Sequence, residues 1–486
     1  MLKNFKNFLI TPWAVIFLIV LGAFWVRLYK IDNPVADWHS WRQADTAAVS
    51  RNFYQDGFTP LFPKYDDMSG VAENPIPNTE RYRYVEFPIY NSLVYLAYLA
   101  NGRVDEKLAR FVSIIFSLGS IVLVYLIGKR YFKEFTGLVA AFLFAFLPFN
   151  IFFSRVILPE PSLVFWSLGM FFFGDLWISS GRRSRYFFPA ILFTALAFLT
   201  KPVAIFYFLP LIYLIYKKEG RFWPIHKEYL YFLILGFVPI LIWRVWMSNH
   251  PEGIPASNWL FNGNHIRFRP AFFKWIIGDR FGREILGVTG SFLFFLGGVI
   301  RPKLNESWLP HILLFSSIAY LFVIATGNVQ HDYYQSLIVP AIVIFTARGF
   351  TRLFEGDGIF LPRAITIPMA VLFLILTIYF GWNEVKGLYQ INNGIIVVAG
   401  QAADRILPKN AIVLAPYNGD TSFLYQTNRP GLAFSNGKIE DMIAKFGLTS
   451  YVSVNNDDLT RELKKKYTVL EDTGKYVIID LKQRRM

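Results

Sequence analysis

Within nine residues the chain places two carboxylates, an imidazole, a guanidinium and an amide: Asp37-Trp38-His39-Ser40-Trp41-Arg42-Gln43-Ala44-Asp45. Such a set can supply a general base for a hydroxyl and positive charge for an anionic leaving group. A helix starting near Ser40 sets Arg42 and Asp45 at i, i+3 on one face, with Gln43 beside them. The plainer reading is an interface anchor, with Trp38 and Trp41 in an aromatic belt and Asp45 merely paired to Arg42. Anchoring alone does not call for two carboxylates and a histidine.

Three further groups stand out. Glu86 follows Arg81 and Arg83 and precedes Pro88; as a plain helix-start charge it complements the macrodipole, and the arginines suit a phosphate or a lipid headgroup equally. Arg155 and Glu160 close a short turn between two apolar runs, where a carboxylate faces a wet cavity or a partner; an Arg155–Glu160 ion pair is the simple alternative. His331 and Tyr334 lie in Gln330-His331-Asp332-Tyr333-Tyr334, a candidate substrate contact or ordinary interface aromatics. The remaining histidines lack metal-ligand spacing, so a dedicated zinc site is not expected. A divalent cation such as Mg or Mn, if the chemistry takes one, would fall to Asp45 and Glu160. The chain has no cysteine, which removes thiolate catalysis and disulfides.

These residues must be positioned by a membrane protein. Hydrophobic residues make up 54% of the 486 and charged ones 17%, against about 25% charged in soluble domains. Apolar runs near the length that crosses a bilayer fall at 8 to 26, 109 to 127, 136 to 153, 159 to 178, 187 to 200, 202 to 216, 229 to 247, 285 to 300, 309 to 326, 334 to 347 and 364 to 382. The first reads as an uncleaved anchor. Pro88 to Ala100 is a twelfth candidate, but its length reaches only ~20 Å, and it reads as an amphipathic helix in the outer interface.

Charge supports that choice. With eleven spans, the N-terminus and alternate loops hold seventeen Lys and Arg, while the short opposite loops around Arg155, Lys201 and His331 hold two. A twelfth span would turn fifteen of those charges outward, against the positive-inside rule. The net charge of +15 therefore points to a membrane rather than to nucleic acid. The N-terminus is expected to be cytoplasmic. Residues 27 to 108, 154 to 158, 246 to 284 and 327 to 333 then share the extracytoplasmic side with everything after Trp382. Past that residue, short β-branched runs at 411 to 415, 451 to 454 and 476 to 481 alternate with polar helical stretches at 438 to 446 and 457 to 466. The expectation is a mainly α polytopic bundle over residues 1–382 and a small α/β domain over residues 383–486. No nucleotide motif marks that domain, and a structural cap or docking module is the simplest reading of it.

Carboxylates and arginines on an outer face suit glycosyl transfer from a lipid phosphate, because nucleotide donors do not exist outside the membrane, and they suit other anionic-lipid chemistry too. At this point the motifs resemble a family. The chain resembles the integral-membrane glycosyltransferases of the GT-C fold, in the bacterial family that includes the protein O-mannosyltransferase and lipid A aminoarabinose transferase types. HSWRQADTAAVSRNF resembles a first-loop motif of one bacterial branch, and Glu86-Phe87-Pro88-Ile89-Tyr90 its helix start. Arg155 to Pro161 is similar to its second-loop R-x-x-x-P-E, and His331-Asp332-Tyr333-Tyr334 with Pro340 to its H-x-Y-Y. Leu199-Thr200-Lys201-Pro202 and Asn428-Arg429-Pro430-Gly431 fit less specifically.

The resemblance implies transfer of a sugar from polyprenyl phosphate, undecaprenyl phosphate in bacteria, to an extracytoplasmic lipid, glycan or protein, with inversion and a first-loop carboxylate as base. The chain departs from relatives of the two types, since Arg42-Gln43 stand where their acidic pair falls; the base is then Asp45 or Asp37, with Asp45 favoured by its place inside the helix. Glu86 is retained, but the lysine that follows in the aminoarabinose type is absent. Arg42, Arg83, Arg155 or a metal would take over the phosphate, and His39, Gln43, Glu160, His331 and Tyr334 complete the candidate substrate contacts. A transporter or flippase of lipid-linked sugars would instead place its ionisable residues near the midplane, often within internal repeats. A non-catalytic assembly factor would leave the first-loop carboxylates dispensable.

Overall fold

A computed structural model describes residues 11–71, 76–221, 226–299, 307–356 and 359–484. The chain divides into two compact units, one formed by Met1–Ile31, Phe111–Trp243 and Ser257–Gly387, the other by Asp32–Arg110, Arg244–Ala256 and Leu388–Met486.

The first unit is a helical bundle of an integral membrane protein. Every expected apolar run contains a helix, among them Pro12–Arg27, Glu106–Tyr131, Glu160–Ser179, Lys227–Met247 and Arg363–Val385. The run at 136 to 153 is split into Glu134–Phe146 and Pro148–Phe153. Leu147 precedes Pro148 and takes an extended ψ of 123°, as the proline ring requires of its predecessor. Asn150 Nδ2 then donates to Phe144 O, satisfying a carbonyl freed by the break. Arg27 is fully buried, and its guanidinium donates to Ser154 Oγ and to Ala23 O and Ala145 O at 2.8, 3.0 and 2.9 Å. Gly290–Val299 packs on Val339–Glu355 through facing glycines. A Cβ on Gly297 would lie 1.9 Å from Phe345 O and one on Gly349 1.8 Å from Leu293 O, the close backbone approach that small residues allow between membrane helices.

The second unit joins the segment after the first apolar run to the tail. Its sheet has the order β2-β1-β3-β5-β4, with β1 (Val413–Leu414), β2 (Gly431–Leu432), β3 (Ser450–Ser453), β4 (Tyr467–Asp472) and β5 (Val477–Arg484). Strand β1 pairs in parallel with β2 and β3, while β5 is antiparallel to β3 and β4. The first loop extends this sheet: Gly431 N donates to Asp66 O at 2.9 Å and Met68 N to Gly431 O at 2.8 Å. Met68 is buried in the same apolar cluster as Leu414, Leu432, Tyr451 and Ile479. The twelfth candidate is the short helix Ile89–Asn101. It buries Tyr90, Val94 and Tyr98 while Leu93, Leu96 and Leu99 are exposed, an apolar outer face suited to a bilayer interface.

Candidate active site

The helix Ser40–Gln55 opens after His39, which takes a left-handed φ of 53°, and Ser40 N donates to Asp37 O at 3.0 Å. The helix is polar, yet Arg42, Gln43, Asp45, Arg51 and Asn52 are all buried. Buried polar groups are costly unless hydrogen-bonded, and here each finds a partner from elsewhere in the chain. Arg42 Nη2 donates to both oxygens of Glu86 at 2.9 and 3.1 Å, and Nη1 to Thr46 Oγ1 at 3.0 Å. Gln43 Nε2 donates to Asp37 Oδ1 at 2.7 Å and to Trp38 O at 3.0 Å. Arg110 Nη2 lies 4.0 Å from Asp37 Oδ2.

Asp45 is held from two sides. Its Oδ2 accepts from Arg83 Nη2 at 2.7 Å and its Oδ1 from Thr421 Oγ1 at 2.7 Å. The Arg42–Asp45 pair of the plainer reading is thus replaced by Arg42–Glu86 and Asp45–Arg83. Helical side chains lean toward the N-terminus, so an arginine three residues before a carboxylate reaches away from it. Arg83 is set by a short antiparallel bridge between Lys64 and Tyr82, by its own N–H on Pro63 O at 2.8 Å, and by the Tyr65 ring, 5.1 Å from its guanidinium. Its Nε is buried without a hydrogen-bond partner among the described residues.

Several members of this cluster did not stand out in the sequence. Arg51 pairs with Asp66, and Asp67 is buried beside them. Burial pushes the Asp67 carboxyl up to about 6, and the charge of Asp45 adds to the rise, while hydrogen bonds from Ser69 and the charge of Arg83 oppose it. Burial also raises Asp420, which caps the helix Thr421–Gln426 through Ser422 N at 2.8 Å. Adjacent acids at Asp66 and Asp67 were a readable signal; Thr421 offered none.

The remaining candidates lie in the first unit. Glu160 is the first residue of Glu160–Ser179, and its Oε1 accepts from Lys201 Nζ. Its Oε2 is buried with no hydrogen-bond partner among the described residues. The Glu160–Lys201 pair stands in place of the Arg155–Glu160 turn. Arg155 Nη1 donates to Lys30 O at 2.8 Å. Lys201 Nζ sits 5.3 Å from the centre of the Tyr334 ring, and His331 stacks on Tyr333 at 5.4 Å and meets Tyr334 edge-on at 5.6 Å. Lys201 was legible as the lone charge of a short loop between apolar runs.

Among the described residues no three His, Asp or Glu side chains gather as metal ligands.

Known proteins resemble this chain in part of its sequence and in its fold. The family profile described as dolichyl-phosphate-mannose-protein mannosyltransferase matches residues 92–246. An uncharacterized protein of Aquifex aeolicus (strain VF5) is 27% identical over 308 residues, 58% of this chain and 70% of its own length. Among solved structures, ArnT from Cupriavidus metallidurans bound to undecaprenyl phosphate superposes with a TM-score of 0.66 at 14% identity, covering 97% of this chain and 98% of that one. The Archaeoglobus fulgidus oligosaccharyltransferase gives 0.59 at 12% identity over 93% and 70%. The mycobacterial arabinofuranosyltransferase AftD gives 0.52 at 12% over 91% and 37%. The chain has the fold of the integral-membrane GT-C glycosyltransferases, as the loop motifs implied.

Proposed function

We propose that this protein transfers a sugar from a polyprenyl-phosphate donor to an extracytoplasmic acceptor at the bacterial plasma membrane, with the N-terminus in the cytoplasm and the C-terminal segment outside. The observation that carries the reading is the near end-to-end likeness in fold to ArnT, a structure bound to undecaprenyl phosphate. The buried carboxylate and arginine pairs of the second unit supply the chemistry. A carboxylate takes the proton from an acceptor hydroxyl, the oxygen attacks the anomeric carbon, and the bond to phosphate breaks with inversion as the lipid phosphate leaves.

Asp45 is the proposed base, with Asp37 as the second candidate. An ionised carboxylate has about four acceptor directions, so Asp45 retains capacity beyond Arg83 and Thr421. Positive charge for the leaving phosphate comes from the chain's own Arg42 and Arg83. The protein reconstituted with a polyprenyl-phosphate sugar and an envelope extract should transfer label. Asp45→Asn should abolish transfer while donor binding persists. Unchanged transfer in Asp45→Asn, Asp37→Asn and Glu160→Gln would refute this site and favour a transporter or assembly role.

A further inference from the structure

A polar cavity lies within the first unit, at the end of its helices away from Glu160. It measures about 560 Å³ and is lined by Arg130, Tyr131, Asp175, Lys217, Lys218 and Ser307, with Leu214 among its apolar walls. Arg130 and Tyr131 end the helix Glu106–Tyr131, and Lys217 and Lys218 the helix Ile205–Glu219. Asp175 lies fifteen residues beyond Glu160 on one helix, about 22 Å along its axis, so this cavity is distinct from the Glu160–Lys201 cluster.

Its charges do not cancel. Asp175 takes up Arg130, the Tyr131 hydroxyl and Ser179 Oγ. Lys218 donates to Ile178 O, a carbonyl at the end of Glu160–Ser179. Lys217 is exposed and has no hydrogen-bond or ion-pair partner among the described residues. Three cations therefore face one carboxylate, beside leucine side chains. A phosphate ester carrying an acyl chain satisfies both features, with its anion on the lysines and its hydrocarbon along the leucines. The helix ends here adjoin the short basic loops around Lys133 and Arg183, where anionic headgroups concentrate.

We propose that this cavity binds the phosphate headgroup of an anionic glycerophospholipid, with Lys217 as its principal contact. The inference does not depend on the transfer reaction. Delipidated full-length protein in detergent is titrated with dioleoyl-phosphatidylglycerol, with dioleoyl-phosphatidylcholine and with inorganic phosphate, and bound ligand is counted by native mass spectrometry. Phosphatidylglycerol should bind at least ~5-fold more tightly than phosphatidylcholine, and Lys217→Ala should remove about that factor, near 1 kcal/mol for one lysine. Lys217→Glu should remove more, while Lys445→Ala on the second unit should change nothing. Far-UV circular dichroism identical to wild type establishes that the Lys217 variants are folded. Equal affinity for the two lipids, or an unchanged Lys217→Ala, would overturn the proposal. Displacement of phosphatidylglycerol by millimolar inorganic phosphate would overturn the lipid source in favour of a soluble phosphate.

Discussion

Thr421 Oγ1 donates a 2.7 Å hydrogen bond to Asp45 Oδ1 across 376 positions of the chain, and the same hydroxyl lies 3.1 Å from Trp41 O. The tail thus contributes directly to the environment of the proposed base. Hydrogen bonds to a charged group are worth roughly 1.5–3 kcal/mol. Thr421→Val keeps the shape and removes the donor; transfer should fall by about tenfold, with Thr421→Ser restoring most of it. Equal rates in Val and wild type would show that Asp45 is held without the tail.

Arg42 and Glu86 form a buried ion pair with side chains 5% and 8% exposed. Removing one partner of such a pair strands a charge and costs about 3–5 kcal/mol, while replacing both with apolar side chains costs far less. Thermal unfolding should show Glu86→Leu and Arg42→Met each strongly destabilised and the double variant closer to wild type. Additive losses would contradict the pairing.

Asp67 predicts a pH dependence. Its carboxyl is raised from 3.8 to about 6 in the fold, so the folded state holds this proton more tightly than the unfolded chain. The contribution is complete below pH 3.8 and is lost as pH rises through about 6, up to roughly 3 kcal/mol for such a shift. Asp67→Asn keeps an acceptor for Ser69 and removes the titration. The difference in melting temperature between wild type and Asp67→Asn should shift against wild type from pH 4 to pH 7. A constant difference would mean that Asp67 is not raised.

The side assignment is open to direct test because the chain has no native cysteine. Thr59, Asn436 and Ser184 are all exposed. Cells with a permeable outer envelope and a single Cys at Thr59 or Asn436 should label with a membrane-impermeant thiol reagent. Cells with Cys at Ser184 should label only after lysis. Labelling at Ser184 alone would invert the topology.

Much of the fold was legible because each signal was local. Long apolar runs dictate helices in a bilayer, where the backbone must satisfy its own hydrogen bonds, and the β-branched runs after position 410 mark strands that form. The candidate site was legible in composition but not in pairing. Asp37, Arg42, Asp45 and Glu86, with the amide of Gln43, announce themselves as polar groups beside the apolar runs, yet i, i+3 spacing suggested Arg42 with Asp45, and the fold gives each a different partner.

What the sequence by itself determined was a membrane-embedded helical protein with its candidate site residues outside or at the ends of the apolar runs, because hydropathy and charge act over a few turns of chain. Only the tertiary structure decided that residues 32–110 and 388–486 build one unit, that Met68 pairs with Gly431, and that Thr421 reaches Asp45. Those contacts join segments hundreds of residues apart. Their partners are selected by desolvation, which makes every buried charge on Ser40–Gln55 find a counterpart wherever the chain brings one, and no local pattern encodes which one that is.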